Sequence, residues 1–270
     1  MESGWPKFRQ VHSDCLSIYL SPPPLTCSLA PSFNLLQDGG SSGSYPSQPL
    51  TYSSSHIVGI GIRGCCPHGS KCWLYFPEDN CPFYRCTVFS NYAVDNCPAP
   101  STALSTLCLG SGESSGGDNA ASPGPYWSLM FEISESSYKP VAQEDVSIGG
   151  NLYPRIVLET LEGAVATGLI APTNEVVSIY HRRLEHGYPT PCLNRENVLR
   201  KALPALREQN VWSRGRFGSY RYEVANQDHS LMLGVEAIDS ILFGSREMTL
   251  EFANIVNATK NSEMRYTRAV

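Results

Sequence analysis

WSRGRFGSYRYEVANQDHSLMLG, residues 212–234, packs cationic, phenolic and amide side chains around two glycines immediately ahead of a helical pattern. Gly215 and Gly218 let the backbone approach a ligand closely. Arg214, Arg216 and Arg221 can fork onto phosphate oxygens, and Tyr220 and Tyr222 add hydroxyl donors. Asp228 or Ser230 is placed to cap a helix whose apolar residues Leu231, Val235, Ile238 and Leu242 recur at helical spacing. A helix start favours anions, so the composition is that of a ligand cradle.

Outward from this stretch, the 270 residues are enough for one or two domains with a proper core, and a hydrophobic content of 41% is ordinary for a globular chain. A net charge of −5 argues against general nucleic-acid binding. No run approaches the ~18 apolar residues of a membrane helix. The first 30 residues, with Asp14 and the Pro22–Pro24 run, make a poor signal peptide, so a cytoplasmic location is expected. Of the ten cysteines, seven fall between Cys65 and Cys108, but no C-x-x-C pair occurs among them. Reduced thiols in a strand-rich region are expected there, and no metal site.

Residues 1–50 are rich in Ser, Pro and Gly without sustained periodicity and read as irregular. Strands are predicted over residues 52–63, 72–76, 84–90 and 126–134, where aromatic and β-branched residues dominate. The Ser/Gly/Pro stretch 95–125 suits a surface insertion between two of them. Helices are predicted at 154–167, at 194–208 with Pro204 kinking or ending it early, and after Asp228. A further strand is predicted at 175–180. His181, Arg182 and Arg183 at its end read as a solvated edge. The organisation expected is an N-terminal segment 1–50, an antiparallel-sheet region 51–180 and a helical, ligand-contacting region 181–270.

Gly59–Gly64, GIGIRG, formally fits the dinucleotide fingerprint G-x-G-x-x-G. That fingerprint needs a helix directly after its glycines, and CCPHGSKCWLYF supplies a turn and another strand instead. The stretch therefore reads as a strand whose glycines permit close packing.

Together with KCWLYFPEDNCPFYRCTVFSNY (71–92) and VVSIYHRRLEHGYPTPCLNRE (176–196), residues 212–234 resemble the eukaryotic, fungal-type UDP-galactopyranose mutases, over roughly residues 51–260. The resemblance implies an α/β fold: part of a FAD-dependent flavoenzyme, a mainly antiparallel sheet followed by helices that complete a FAD/Rossmann-like domain. It implies an isomerase that interconverts UDP-galactopyranose and UDP-galactofuranose, the cell-wall sugar donor, on reduced FAD. The flavin is the nucleophile, so no side chain is assigned as catalytic.

By the same resemblance Arg85 and Arg216 grip the substrate diphosphate, Tyr75, Tyr188 and Tyr222 contact it, and Tyr92 lies near the sugar. Asn226 and Gln227, with Arg216, lie on the flavin side, and Ala225 stands where the family has glycine. UDP-galactose is the implied partner, without nucleic acid or membrane, and the oligomeric state is left open. The family's genuine fingerprint lies in an N-terminal region that this chain does not match, so a C-terminal portion of the enzyme is expected, fronted by unrelated residues and with exposed apolar surface. The alternatives are an inactive fragment unable to bind FAD alone, and a flavin amine oxidase relative.

Overall fold

The computed structural model describes residues 50–107 and 120–258, together with the backbone of a short strand at Ser17–Tyr19. Most of the N-terminal segment expected to be irregular, and residues 108–119 of the expected insertion, lie outside the described residues. In chain order the strands are β1 (Ser17–Tyr19), β2 (Tyr52–Arg63), β3 (Trp73–Tyr75), β4 (Arg85–Val88), β5 (Ala103–Leu104), β6 (Ser122–Pro123), β7 (Tyr126–Glu135), β8 (Asp145–Ile148) and β9 (Asn151–Pro154). Helix α1 (Arg155–Ala166) follows, then β10 (Glu175–Pro189), α2 (Arg195–Glu208), β11 (Val211–Ser213), α3 (Gln227–Phe243), α4 (Met248–Glu251) and α5 (Ala253–Ala258). The fold is mixed α/β and mostly antiparallel. The chain divides into two compact units, one of residues 53–187 and one combining 1–52 with 188–270.

The first unit is built on a five-stranded sheet of order β10-β2-β7-β4-β3. β2 and β7 pair antiparallel from Ser54 opposite Glu135 to Arg63 opposite Tyr126. Because side chains alternate across a strand, this register commits one face to the core. Val58, Ile60 and Ile62 of β2, Trp127, Leu129, Phe131 and Ile133 of β7, and Cys86 and Val88 of β4 are all buried on it. Helix α1 covers that face with Ile156, Val157, Leu161 and Ala164. Gly163 of α1 sits where a Cβ would be 3.0 Å from Cys81 and Pro82, so the helix lies close on the loop before β4. The β8–β9 hairpin turns through Gly149 and Gly150, whose φ values of 57° and 80° a non-glycine residue rarely adopts. Among the described residues no helix is long and apolar enough to cross a membrane.

The strand expected over 52–63 is β2, and it contains Gly59 and Gly61, so GIGIRG is a strand and not a phosphate loop. A Cβ on Gly61 would lie 2.3 Å from Ser178 Oγ, and one on Gly59 would lie 3.3 Å from Tyr180 Cβ. Both glycines therefore serve the close approach of β10. β10 itself runs to Pro189 and does not end at Tyr180, because polar side chains beyond that point are partnered across the sheet. Arg182 and Arg183 are exposed on this edge strand, as expected of a solvated edge, while His181 is half-buried against His56.

In the second unit α2 buries Val198, Leu199, Ala202 and Leu206, which cluster with Leu50, Phe217 and Tyr220. Pro204 does not end the helix. It lies on the exposed side, as does Arg200, whose carbonyl loses its partner and can turn to water. The N-cap position of α3 is Asn226, not Asp228 or Ser230, and no side chain caps the helix. It stops at Gly244, in the left-handed region with φ 68°. The buried residues of α3 are Leu233, Gly234, Glu236 and Ala237, whereas Leu231, Val235 and Leu242 are exposed. The helical spacing of that stripe was legible, but the stripe faces outward.

Phe131 is buried at the centre of the sheet core, its ring 4.7 Å from that of Phe83. Phe131→Ala is expected to destabilise the first unit by about 3–5 kcal/mol. Chemical denaturation followed by tryptophan fluorescence measures this, and a loss of under about 1 kcal/mol would contradict the packing described.

Candidate functional site

The 212–226 loop is shaped from within. Ser219 N–H donates to Gly215 O at 3.0 Å and its hydroxyl donates to the same oxygen at 2.8 Å. Gly215 has φ 94°, and a Cβ on Gly218 would fall 2.2 Å from Arg214 O, so neither position takes a side chain without rearrangement. Tyr220 is held at φ 52°, unusual for a bulky residue, with its ring buried 5.7 Å from that of Phe217.

Three arginines in this loop were candidates for phosphate, and the structure separates them. Arg214 is buried and forks onto Glu247, Nε to Oε2 at 2.5 Å and Nη2 to Oε1 at 2.7 Å. Arg221 forks onto Glu196 with both bonds at 3.0 Å. Beside it Arg195 binds Glu223 at 2.6 and 3.0 Å, which holds Arg195's guanidinium more firmly protonated; its hydrogen bonding to Glu223 is the main cause. Arg214 and Arg221 thus hold the loop rather than offer themselves to a ligand.

Arg216 is different. Its Nε donates to Ala225 O at 3.0 Å, and its guanidinium lies 4.6 Å from the centre of the Tyr188 ring. The Tyr188 and Tyr222 rings are 5.9 Å apart. Among the described residues no carboxylate pairs with Arg216. This unit therefore assembles Tyr188, Arg216 and Tyr222 into one cluster, beside Ala225 and the exposed Asn226 and Gln227 that open α3. Ala225 has φ −113°, ordinary for any residue, so its methyl imposes no backbone strain.

In the other unit Arg85 binds Glu132 through Nε–Oε1 at 2.8 Å and Nη2–Oε1 and Nη2–Oε2 at 2.6 and 2.7 Å. Tyr84 OH donates to Glu132 Oε2 at 2.8 Å. Glu132 is buried, so the pair is a fixed mount for the guanidinium and not a mobile surface contact. Tyr75 stands directly opposite Arg85 in the β3–β4 register and is 64% exposed. Tyr92 follows the short 3-10 turn Phe89–Asn91, its ring 6.3 Å from Trp73 and 5.8 Å from Phe89. Tyr75 and Arg85 thus face each other at one end of the β3–β4 pair and Tyr92 packs beside Trp73 at its other end, all in the sheet unit, while Tyr188, Arg216, Tyr222, Asn226 and Gln227 belong to the second unit.

Glu132 is the residue of this candidate site that sequence reading did not single out. Its one signal is an acid between Phe131 and Ile133 inside the strand YWSLMFEISE. On the same sheet face, an apolar cavity of about 320 Å³ is lined by Ile57, Gly59, Gly61, Met130, Tyr126 and Tyr180. Ile57 is the β2 partner of Glu132, so this cavity begins in the register row of Arg85.

No protein-family profile matches the chain. Among solved structures it is similar to a crystal structure of reduced UDP-galactopyranose mutase, with 42% sequence identity and a TM-score of 0.63. The match covers 78% of this chain and 38% of the mutase chain. The chain therefore has a mutase-like fold and spans well under half the length of that mutase.

Removing one partner of the buried Arg214–Glu247 pair leaves an uncompensated charge. Arg214→Ala is expected to cost about 3–5 kcal/mol in chemical denaturation. The exposed pair Arg246–Glu251 serves as control, and Arg246→Ala is expected to change stability by under about 1 kcal/mol.

Proposed function

We propose that this chain forms part of a fungal-type UDP-galactopyranose mutase site, with UDP-galactopyranose and UDP-galactofuranose as substrates and reduced FAD as cofactor, in the cytoplasm. The observation that carries this reading is the Arg216 cluster: a guanidinium stacked on Tyr188, anchored on Ala225 O, without a carboxylate of its own among the described residues. Its resemblance to the mutase family and the 42% identical mutase structure supply the substrate class.

The chain's residues fit a flavin edge. The first turn of α3 has no side-chain cap, Asn226 and Gln227 are exposed, and the backbone at Ala225 is unstrained. Asn226, Gln227 and the amides behind them would hold the polar rim of the ring. When bound in reduced form, FAD supplies the nucleophile for the ring contraction. The chain's own contribution is electrostatic. Arg85 and Arg216 hold the diphosphate and stabilise the charge that accumulates on it when its bond to the sugar breaks. Tyr75, Tyr188 and Tyr222 donate hydroxyl hydrogen bonds to the same group, and Tyr92 borders the sugar. Glu132 is a positioning residue that sets the plane of the Arg85 guanidinium.

A second reading, a homologue that does not hold FAD by itself, is favoured by the exposed apolar residues Leu231, Val235, Leu242 and Phe243 along α3. The two are separated by adding FAD to the purified chain, removing free ligand by gel filtration and recording the visible spectrum, with UDP titrated calorimetrically in parallel. Flavin near one equivalent supports the mutase reading. A colourless peak with UDP binding retained favours the second, and loss of both overturns the site.

Arg216→Ala is expected to weaken UDP binding by about tenfold or more, since a hydrogen bond to a charged group is worth ~1.5–3 kcal/mol. Glu132→Gln is expected to weaken it less, and Glu132→Asp to restore part of the loss. Equal affinity in all three variants would remove the diphosphate from this site.

A further inference from the structure

A second polar cluster lies on the core-facing side of the sheet, on the face opposite Arg85 and Glu132. His56 of β2 is buried. Its Nδ1 lies 3.0 Å from His181 Nε2 of β10, and its Nε2 lies 3.1 Å from Glu135 Oε2 of β7. The two imidazole rings are nearly parallel, with centroids 5.2 Å apart. Arg183 of β10 donates from Nε to the same Glu135 oxygen at 2.5 Å, from Nη2 to Ser54 Oγ at 3.1 Å, and pairs through Nη1 with Glu185. Ser54 Oγ in turn donates to Glu185 O at 2.7 Å. These bonds tie the edge strand β10 to the two strands beyond it in the sheet.

Proton arithmetic limits what this cluster can hold. Glu135 accepts, so His56 Nε2 carries a hydrogen and donates. In a neutral His56 the facing Nδ1 is then bare and accepts from His181 Nε2–H. One added proton is accommodated on either ring with the hydrogen bond kept. A second would place N–H groups on both facing nitrogens 3.0 Å apart, joining two cations where a hydrogen bond had been.

We propose that the His56–His181 pair is an acid-sensitive latch on β10, closed with none or one proton and opened by the second. The charged groups around it are Glu135 from β7 and Arg183, Glu185 and His186 from β10. Burial is the main cause that holds both imidazoles below the usual 6.5, opposed at His56 by Glu135 and reinforced at His181 by the charge of His56. An unfolded chain therefore takes up protons before the folded one as pH falls. The latch contributes fully above about pH 6.5 and its contribution is lost as pH drops through the lower folded values. The strand that opens is the one whose end carries Tyr188.

Hydrogen–deuterium exchange of the full chain, corrected for intrinsic rates, tests this between pH 7.5 and 5.0. Amides of residues 179–186 are expected to lose at least ~10-fold protection at low pH while those of residues 129–133 in β7 keep theirs. His181→Gln offers an amide N–H to His56 Nδ1 but takes no proton, so it is expected to abolish the pH dependence. Uniform loss of protection in both strands, or an unchanged response in His181→Gln, would overturn the latch. Should that variant fail to fold, imidazole nitrogen shifts of the unmodified chain decide. Two coupled steps below 6.5, at least ~1 unit apart, are expected, and two independent titrations near 6.5 would overturn it.

Discussion

The pairing of β2 with β7 is the constraint on which the sheet unit depends. Ten residue pairs, from Ser54–Glu135 to Arg63–Tyr126, fix which side chains share a face. A slip by one residue would turn Val58, Ile60 and Ile62 to the opposite face and bring Ile57 and Gly59 to the core. The same register carries the polar features. On β7 the pairing with β4 sets Glu132 in the row of Arg85 and Tyr75 on one face, and the pairing with β2 sets His56 near Glu135 on the other. The strand β7 thus supports an arginine mount on one face and a histidine cluster on the other.

In the second unit the corresponding work is done by ion pairs. The loop carries three arginines, and two of them are paired with carboxylates. Arg214 fixes the loop to the start of α4 through Glu247, and Arg221 fixes it to α2 through Glu196. Arg216 alone of the three is held by a carbonyl and a ring instead of a carboxylate. A guanidinium so held lies in a set plane, which suits an anion far better than a long side chain free in water.

Much of the fold was legible. Alternation of apolar residues gave β2 and β7 nearly to their ends, and the turn after Gly64 identified GIGIRG as strand. What local pattern could not reveal were partners distant in sequence. Arg85 and Glu132 are 47 residues apart, Arg214 and Glu247 33, and His56 and His181 125. A motif can nominate three arginines, but only the positions of their carboxylates decide which one is left to bind. Periodicity likewise placed Leu231, Val235 and Leu242 on one side of α3 without saying which way that side faces. The placements of Arg216, Tyr188 and Tyr222 came from resemblance to a family, and spacing alone would not have brought Tyr188 to residues 28 and 34 positions later in the chain.

Tyr220 adds a consequence of another kind. A bulky residue in the left-handed region costs of order 1–3 kcal/mol, and here that conformation is kept by burying the ring against Phe217 within the α2 cluster. Folding itself therefore orders the turn between Arg216 and Tyr222, before any ligand arrives. The entropy of fixing this loop is met on folding and would be absent from any binding step there.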